Sequence, residues 1–248
     1  MPTAQAGSKA MSSETFVYQG SELEHFALAH NWKRYMRDRL APYLRGHVIE
    51  VGAGLGETAR ALRPGLAIES WLCVEPDCIM AAALSALVDS GALGAAVCVQ
   101  AGTLDDVPCR PQADTVIYID VLEHIEQDRQ ELAKAAERLA PGGRVVVLAP
   151  AYQYLFSPFD TAVGHFRRYT KRSLRAIRPE ALREEAAFYL DSVGLMASFA
   201  NKLLLKQSLP SADQVQFWDR AMVPVSRLVD PLVLRAFGRS VVLVWQKV

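Results

Sequence analysis

The sequence predicts an α/β fold: a mainly parallel sheet with helices on both faces. Three observations carry this. Short runs of β-branched and apolar residues recur along the first 150 positions. Helical patterns separate them, and a glycine-rich bend follows the first run. Near-continuous apolar runs are what strands covered on both faces require. Strand and helix in alternation imply right-handed crossovers and parallel strands.

Taken in order, HVIEV (47–51), SWLCVE (70–75), AAVCVQ (95–100), DTVIYI (114–119) and RVVVLA (144–149) read as strands. ETARALRP, DCIMAAALSALVDSG and DRQELAKAAERLAPGG read as the helices between them, the last stopped by Pro141-Gly142-Gly143. Ahead of the first strand, residues 22–44 read as one or two helices with Pro42 near their end. EAAFYLDSV (185–193) and SVVLVWQKV (240–248) are strand-like, with helical patches such as NKLLLKQSL between them. There is no internal repeat and no low-complexity linker. The expected organisation is a disordered tail over 1–14 and a single domain over 15–248. Within that domain, 15–45 form an N-terminal helical cap and 195–238 a helical insertion before the last strand.

Composition bounds the function. The 248 residues carry 27 basic and 27 acidic side chains, a zero balance that gives no support to a nucleic-acid binder. The four cysteines show no metal-ligand spacing and read as free thiols of a reducing compartment. The first fourteen residues lack the apolar core of a signal peptide, and no apolar run is long enough to span a bilayer. A cytoplasmic location is the expectation. No Asp, His and Cys set has metal-ligand spacing, so no metal is expected.

The bend EVGAGLGE places Gly52, Gly54 and Gly56 between a strand and a helix, where backbone N–H groups can meet a polar ligand. A dinucleotide fingerprint would need its third glycine where this chain has Glu57, which weakens a nicotinamide-dependent oxidoreductase. Glu50 stands inside an otherwise apolar strand, costly unless partnered. Glu75 ends the next strand, where a carboxylate can accept both hydroxyls of a ribose.

The order EVGAGLGE, CVEPD, AGTLDD, DTVIYIDVLEHI, LAPGGRVVVLAP over residues 46–151 resembles the class I S-adenosylmethionine-dependent methyltransferases. The resemblance implies a Rossmann-like, seven-stranded sheet whose last strand, SVVLVWQKV, runs antiparallel. It implies S-adenosyl-L-methionine as cofactor. Glu50 and the backbone of Gly52, Ala53 and Gly54 would hold its methionine part, and Glu75 its ribose. Pro76 and Leu104 would flank the adenine, with Gly102 and Thr103 along its edge; Asp120 and Val121 would border the methionine part. GHFRRYT, YQGSELEHFALAHNWKRY and DRAMVPVSRL further resemble a subgroup often associated with polyprenyl-phosphate glycosyltransferases.

The long aromatic segment 151–177 reads as a substrate loop. It supplies Tyr152, His165, Arg167, Arg168 and Tyr169 as substrate-binding candidates, joined from the N-terminal side by Tyr18, Asn31, Trp32 and Tyr35. His165 is the first candidate for a general base, because histidine titrates near neutrality; bonding Asp160 to fix the loop is an equal alternative. Tyr169 and Asp120 complete the catalytic candidates. The expected reaction is methyl transfer to a small polar, sugar or lipid-linked acceptor, preferably at oxygen. N-methylation of a small metabolite and a non-catalytic nucleoside-binding scaffold stay open. The chain is expected to be a monomer or homodimer, without nucleic acid, and peripheral membrane contact through the insertion is allowed for.

Overall fold

The computed structural model describes residues 28–110, 112–200 and 211–248. The proposed tail, the first part of the cap including Tyr18, and the NKLLLKQSL patch lie outside the described residues.

Helix α1 (His30–Leu40) precedes β1 (Gly46–Val51), α2 (Glu57–Leu62), β2 (Ile68–Glu75), α3 (Cys78–Asp89), β3 (Val97–Ala101) and β4 (Ala113–Ile119). Then come α4 (Asp128–Arg138), β5 (Leu139–Pro150), α5 (Pro158–Ala162), α6 (Lys171–Ala176) and β6 (Leu182–Leu190). Last are α7 (Ser192–Ala200), α8 (Ala212–Phe217), a π-helical turn at Trp218–Met222, α9 (Val223–Leu232) and β7 (Ser240–Lys247). The seven strands lie in the order β3-β2-β1-β4-β5-β7-β6. β7 runs antiparallel to both β5 and β6; the other pairings are parallel. The seven-stranded, mostly parallel sheet with an antiparallel last strand is therefore present.

The period of two along each strand divides the core into two layers. Val48, Trp71, Ile117, Val146 and Val244 pack with α1 and α2 on one face. Ile49, Val116, Tyr118, Val147 and Trp245 pack with α4 and α6 on the other. β7 is buried at six consecutive positions because it is sandwiched inside the sheet and covered on both sides.

Of the boundaries that differ from the sequence reading, two have a visible cause. β5 begins at Leu139, which pairs with Ala113; pairing then shifts and resumes at Arg144 opposite Thr115, so Pro141-Gly142-Gly143 bulge out rather than only ending α4. β6 stops at Leu190, because Asp191 takes φ +65° and its buried carboxylate turns the chain into α7. That carboxylate accepts from Gly194 N–H, Trp218 Nε1 and Ser226 Oγ. Of the four cysteines, only Cys73 is buried; all are free thiols.

Candidate active site

The carboxyl ends of β1, β2, β3 and β4 meet at the glycine bend. Gly52, Gly54 and Gly56 all have positive φ, +69°, +52° and +77°. A Cβ on Gly52 would lie 2.6 Å from a methyl of Val121, so this glycine lets the β1 and β4 loops close together. Among the described residues, a Cβ on Gly54 would meet nothing within 4 Å. Its absence there opens a cradle directly above the backbone.

The N–H groups of this bend are spent differently from the sequence expectation. Gly52 and Ala53 both donate to the Val74 carbonyl, at 2.8 and 3.1 Å. Gly54 donates to Glu75 Oε2 at 2.7 Å. The bend is thus held by β2, and the polar group it offers is the Glu75 carboxylate. Glu75 is buried, and its Oε1 accepts from Asp77 N–H at 2.9 Å. Burial pushes its carboxyl up, against the pull of those two backbone donors. Asp77 in turn caps α3 through Ile79 and Met80 N–H.

Glu50 points into the α1–α2 side of the sheet, where Trp71 Nε1 donates to its Oε2 at 2.7 Å. Burial pushes its carboxyl up to about 7, opposed by the hydrogen bonds from Trp71, Thr58 and Cys73. Pro76 and Thr103 are exposed just beyond the carboxyl ends of β2 and β3, while Leu104 has no exposed surface and belongs to the core. Gly102 N–H donates to the Glu75 carbonyl, tying β3 to β2. Two apolar side chains missed from sequence, Leu55 and Ile79, stand exposed on the bend and on the first turn of α3. The signal was available: an apolar residue in a helix's first turn, beside an acid at a strand tip. Glu57 is neutralised by Lys33 and Arg60.

At the tip of β4, Asp120 takes φ +53°, a strained conformation of the kind that clusters at functional sites. It is exposed at the sheet edge, and the protein packed around it pushes its carboxyl up, against the attraction of His165, Arg239 and Arg168. The following turn carries Glu123 and His124. The 151–177 loop folds back over this turn, Tyr169 bridging to Ala151 beside β5. It thereby brings His165 against Glu123 and His124. His165 Nδ1 lies 2.8 Å from Asp160 Oδ1, and its Nε2 lies 3.9 Å from Glu123 Oε1. Burial would raise the Asp160 carboxyl, but hydrogen bonds from His165 and Arg168 hold it well below its usual range. Burial, with His165 adding to it, lowers His124 to about 4. Glu123 is fully buried, and among the described residues neither carboxylate oxygen has a hydrogen-bond partner. Burial and the nearby Asp120 raise its carboxyl well above the ordinary value. No metal is expected from the sequence spacing, yet ligand atoms of Glu123, His124 and His165 all lie within 4.8 Å of one another.

The remaining candidates are placed elsewhere. Arg168 is bidentate to Asp160, at 2.7 and 2.9 Å, and Arg167 pairs with Asp128 at 2.6 Å. The Tyr169 hydroxyl donates inward, to Asp128 at 2.8 Å, and burial raises it. These three side chains anchor the loop. Asn31 and Trp32 donate their N–H groups to Asp219, and the Tyr35 hydroxyl donates to Asp230 at 2.6 Å. They dock α1 on α9 and the π-helical turn; Trp32 and Tyr35 are core residues. Tyr152 does lie at the sheet's carboxyl edge, stacked between Tyr189 (5.2 Å) and Tyr154 (5.1 Å), with Phe199 beyond. Arg239, also missed from sequence, lies 4.8 Å over the Trp218 ring, within electrostatic reach of Asp120.

A seven-stranded sheet of this order, with β7 antiparallel, is the Rossmann-like methyltransferase fold. Residues 49–145 match the family model described as a methyltransferase domain. No curated protein matches the chain. A chain of the Haloferax volcanii complex between the Trm112 methyltransferase activator and a candidate methyltransferase is similar at 16% identity. It covers 92% of each chain with a TM-score of 0.61. The Haemonchus contortus phosphoethanolamine N-methyltransferase 2, solved with phosphomonomethylethanolamine and S-adenosylhomocysteine, is 15% identical, over 92% of this chain and 57% of that one (TM-score 0.60). The cyclase SpnF is 18% identical over 86% and 79% (TM-score 0.59). Among the described residues, no helix is long and apolar enough to cross a membrane.

Proposed function

We propose that the protein is an S-adenosylmethionine-dependent methyltransferase acting on a small, partly apolar acceptor, preferentially at oxygen. The observation that carries this is the cradle: an open position over Gly54 whose N–H is bonded to the buried Glu75 carboxylate at the adjoining strand tip. The donor set fits the cofactor. Glu75 would hold the ribose hydroxyls, Leu55, Pro76 and Ile79 would supply apolar surface for the adenine, and Glu50 would support the methionine end from beneath the bend. When bound, the cofactor supplies a sulfonium methyl with a good leaving group.

The chain's own work is then alignment, which can contribute about 7–11 kcal/mol. Asp120 and Val121 close the methionine side against Gly52. A hydroxyl acceptor would lose its proton to Asp120 or His165, where proton removal is worth roughly 10²–10⁴-fold. Asp160 and Arg168 fix the orientation of His165. The aromatic ladder Tyr189, Tyr152, Tyr154 and Phe199 at the same sheet edge favours an acceptor with a flat or lipid-like portion.

The test is calorimetric titration with S-adenosylmethionine, S-adenosylhomocysteine and NAD, followed by methyl-transfer assays over hydroxyl and amine acceptors. Micromolar binding of the first two, with turnover on a hydroxyl acceptor, is expected. No heat with either nucleoside overturns the reading; turnover confined to amines moves the transfer to nitrogen.

A further inference from the structure

We propose that Glu123, His124 and His165 form a binding site for one divalent transition-metal ion at the acceptor side of the cleft. Three independent features of the structure support it. The first is proximity: one carboxylate oxygen and two imidazole nitrogens lie within 4.8 Å of one another, with Glu123 Oε1 and His165 Nε2 at 3.9 Å. Ligands about 2.1 Å from a tetrahedral ion sit about 3.4 Å apart, so small side-chain rotations close the set.

The second is the state of Glu123. It is completely buried and, among the described residues, neither oxygen is hydrogen-bonded. At 3.9 Å the His165 nitrogen is beyond hydrogen-bond reach, so it does not satisfy the carboxylate. A buried carboxylate persists when it is paired or bound to metal, and a cation here would give Glu123 the close partner it lacks among the described residues.

The third is orientation. The ionised Asp160 accepts from His165 Nδ1, which leaves Nε2 presented to Glu123 and His124. Asp160 is itself clamped by both arms of Arg168 and by Ser157. Carboxylate, histidine and cation in series is the usual support of a metal-bound imidazole. His124 meets His165 edge-on, ring centroids 4.5 Å apart at 82°, so the two rings converge without stacking face to face. Other charged groups felt here are Asp120, whose carboxylate reaches Glu123 electrostatically, and Arg168.

Two imidazoles and one carboxylate suit Zn²⁺, Fe²⁺, Mn²⁺ or Co²⁺ better than Mg²⁺ or Ca²⁺, which prefer oxygen. Three protein ligands leave positions for an acceptor oxygen. That last role rests on the methyltransferase reading; the binding itself does not. With an ion bound, His165 Nε2 is a ligand, and Asp120 is left to receive the acceptor's proton.

The full chain, stripped with chelator and dialysed, is titrated with Co²⁺ and with Zn²⁺, Mg²⁺ serving as comparison. Uptake is read by metal analysis, the Co²⁺ visible spectrum and calorimetry. One equivalent of Co²⁺ and of Zn²⁺ is expected, with Mg²⁺ at least tenfold weaker. Glu123→Gln and His165→Gln should each lower Co²⁺ affinity at least 100-fold. Asp160→Asn, a positioning change, should lower it roughly 10–100-fold. Thermal melts and S-adenosylhomocysteine titration on the same samples establish that each variant is folded. Wild-type protein that takes up no Co²⁺ or Zn²⁺ overturns the site, as does unchanged uptake by Glu123→Gln and His165→Gln. Nucleoside binding without metal removes only the metal site; metal without nucleoside binding removes only the methyltransferase reading.

Discussion

Replacing Glu50 with glutamine should stabilise the protein, and by an amount that grows with pH. In the unfolded chain this carboxyl titrates at about 4.5, while in the folded protein burial pushes it up to about 7. Between those values the folded state binds the extra proton, so folding stability falls as pH rises and levels off above about 7. At roughly 1.36 kcal/mol per unit, the ionisation penalty is about 1 kcal/mol at pH 5 and about 3 kcal/mol at pH 8. Glutamine carries no such penalty, and its carbonyl can still accept from Trp71 Nε1. Urea unfolding of wild type and Glu50→Gln, at pH 5 and pH 8, should show the gap between them widening by about 2 kcal/mol. A gap that stays constant or narrows refutes the argument, because Glu50 would then be ionised at little cost in the fold. The same carboxylate ties stability to function: if it faces the cofactor's positive end, the glutamine variant gains stability and loses affinity together.

Other expectations are as direct. Glu75→Ala should weaken S-adenosylhomocysteine binding by at least about 1.5–3 kcal/mol, the worth of one charge-assisted hydrogen bond, measured by calorimetry. Unchanged affinity would displace the ribose from β2. Gly54→Ala should cost about 1–2 kcal/mol of stability from its positive φ and lose more than that in nucleoside affinity, since its methyl enters the open cradle. Equal loss at both readouts would show the space is not used. Asp160→Ala strands the Arg168 guanidinium and should cost about 3–5 kcal/mol in unfolding free energy. His165→Ala should lower turnover about 10²–10⁴-fold with nucleoside affinity nearly intact; full activity would remove it from the chemistry.

The strands and the glycine bend were legible because their signals are local. A run such as RVVVLA can be buried on both faces only in a sheet, and a bend with three glycines announces positive φ before any coordinates exist. Glu75 was legible for the same reason, being an acid at a strand tip. The loop residues were not. Arg167, Arg168 and Tyr169 read as substrate groups because a sequence shows charge and aromaticity without showing partners, and Asp128 and Asp160 consume all three. Trp32 and Tyr35 likewise read as cleft residues until α9 and the π-helical turn supplied Asp219 and Asp230.

What the sequence determined by itself was the alternation of elements, the burial of the strands on both faces, and the place of the glycine bend. These follow from periodicity and backbone sterics, which act over a few residues. What tertiary structure alone decided was the company each polar group keeps. Glu123 and His124 lie some forty residues from His165, and only the return of the 151–177 loop across the end of β4 joins them. Electrostatics and hydrogen bonding depend on distance in space, and chain position carries almost no record of it.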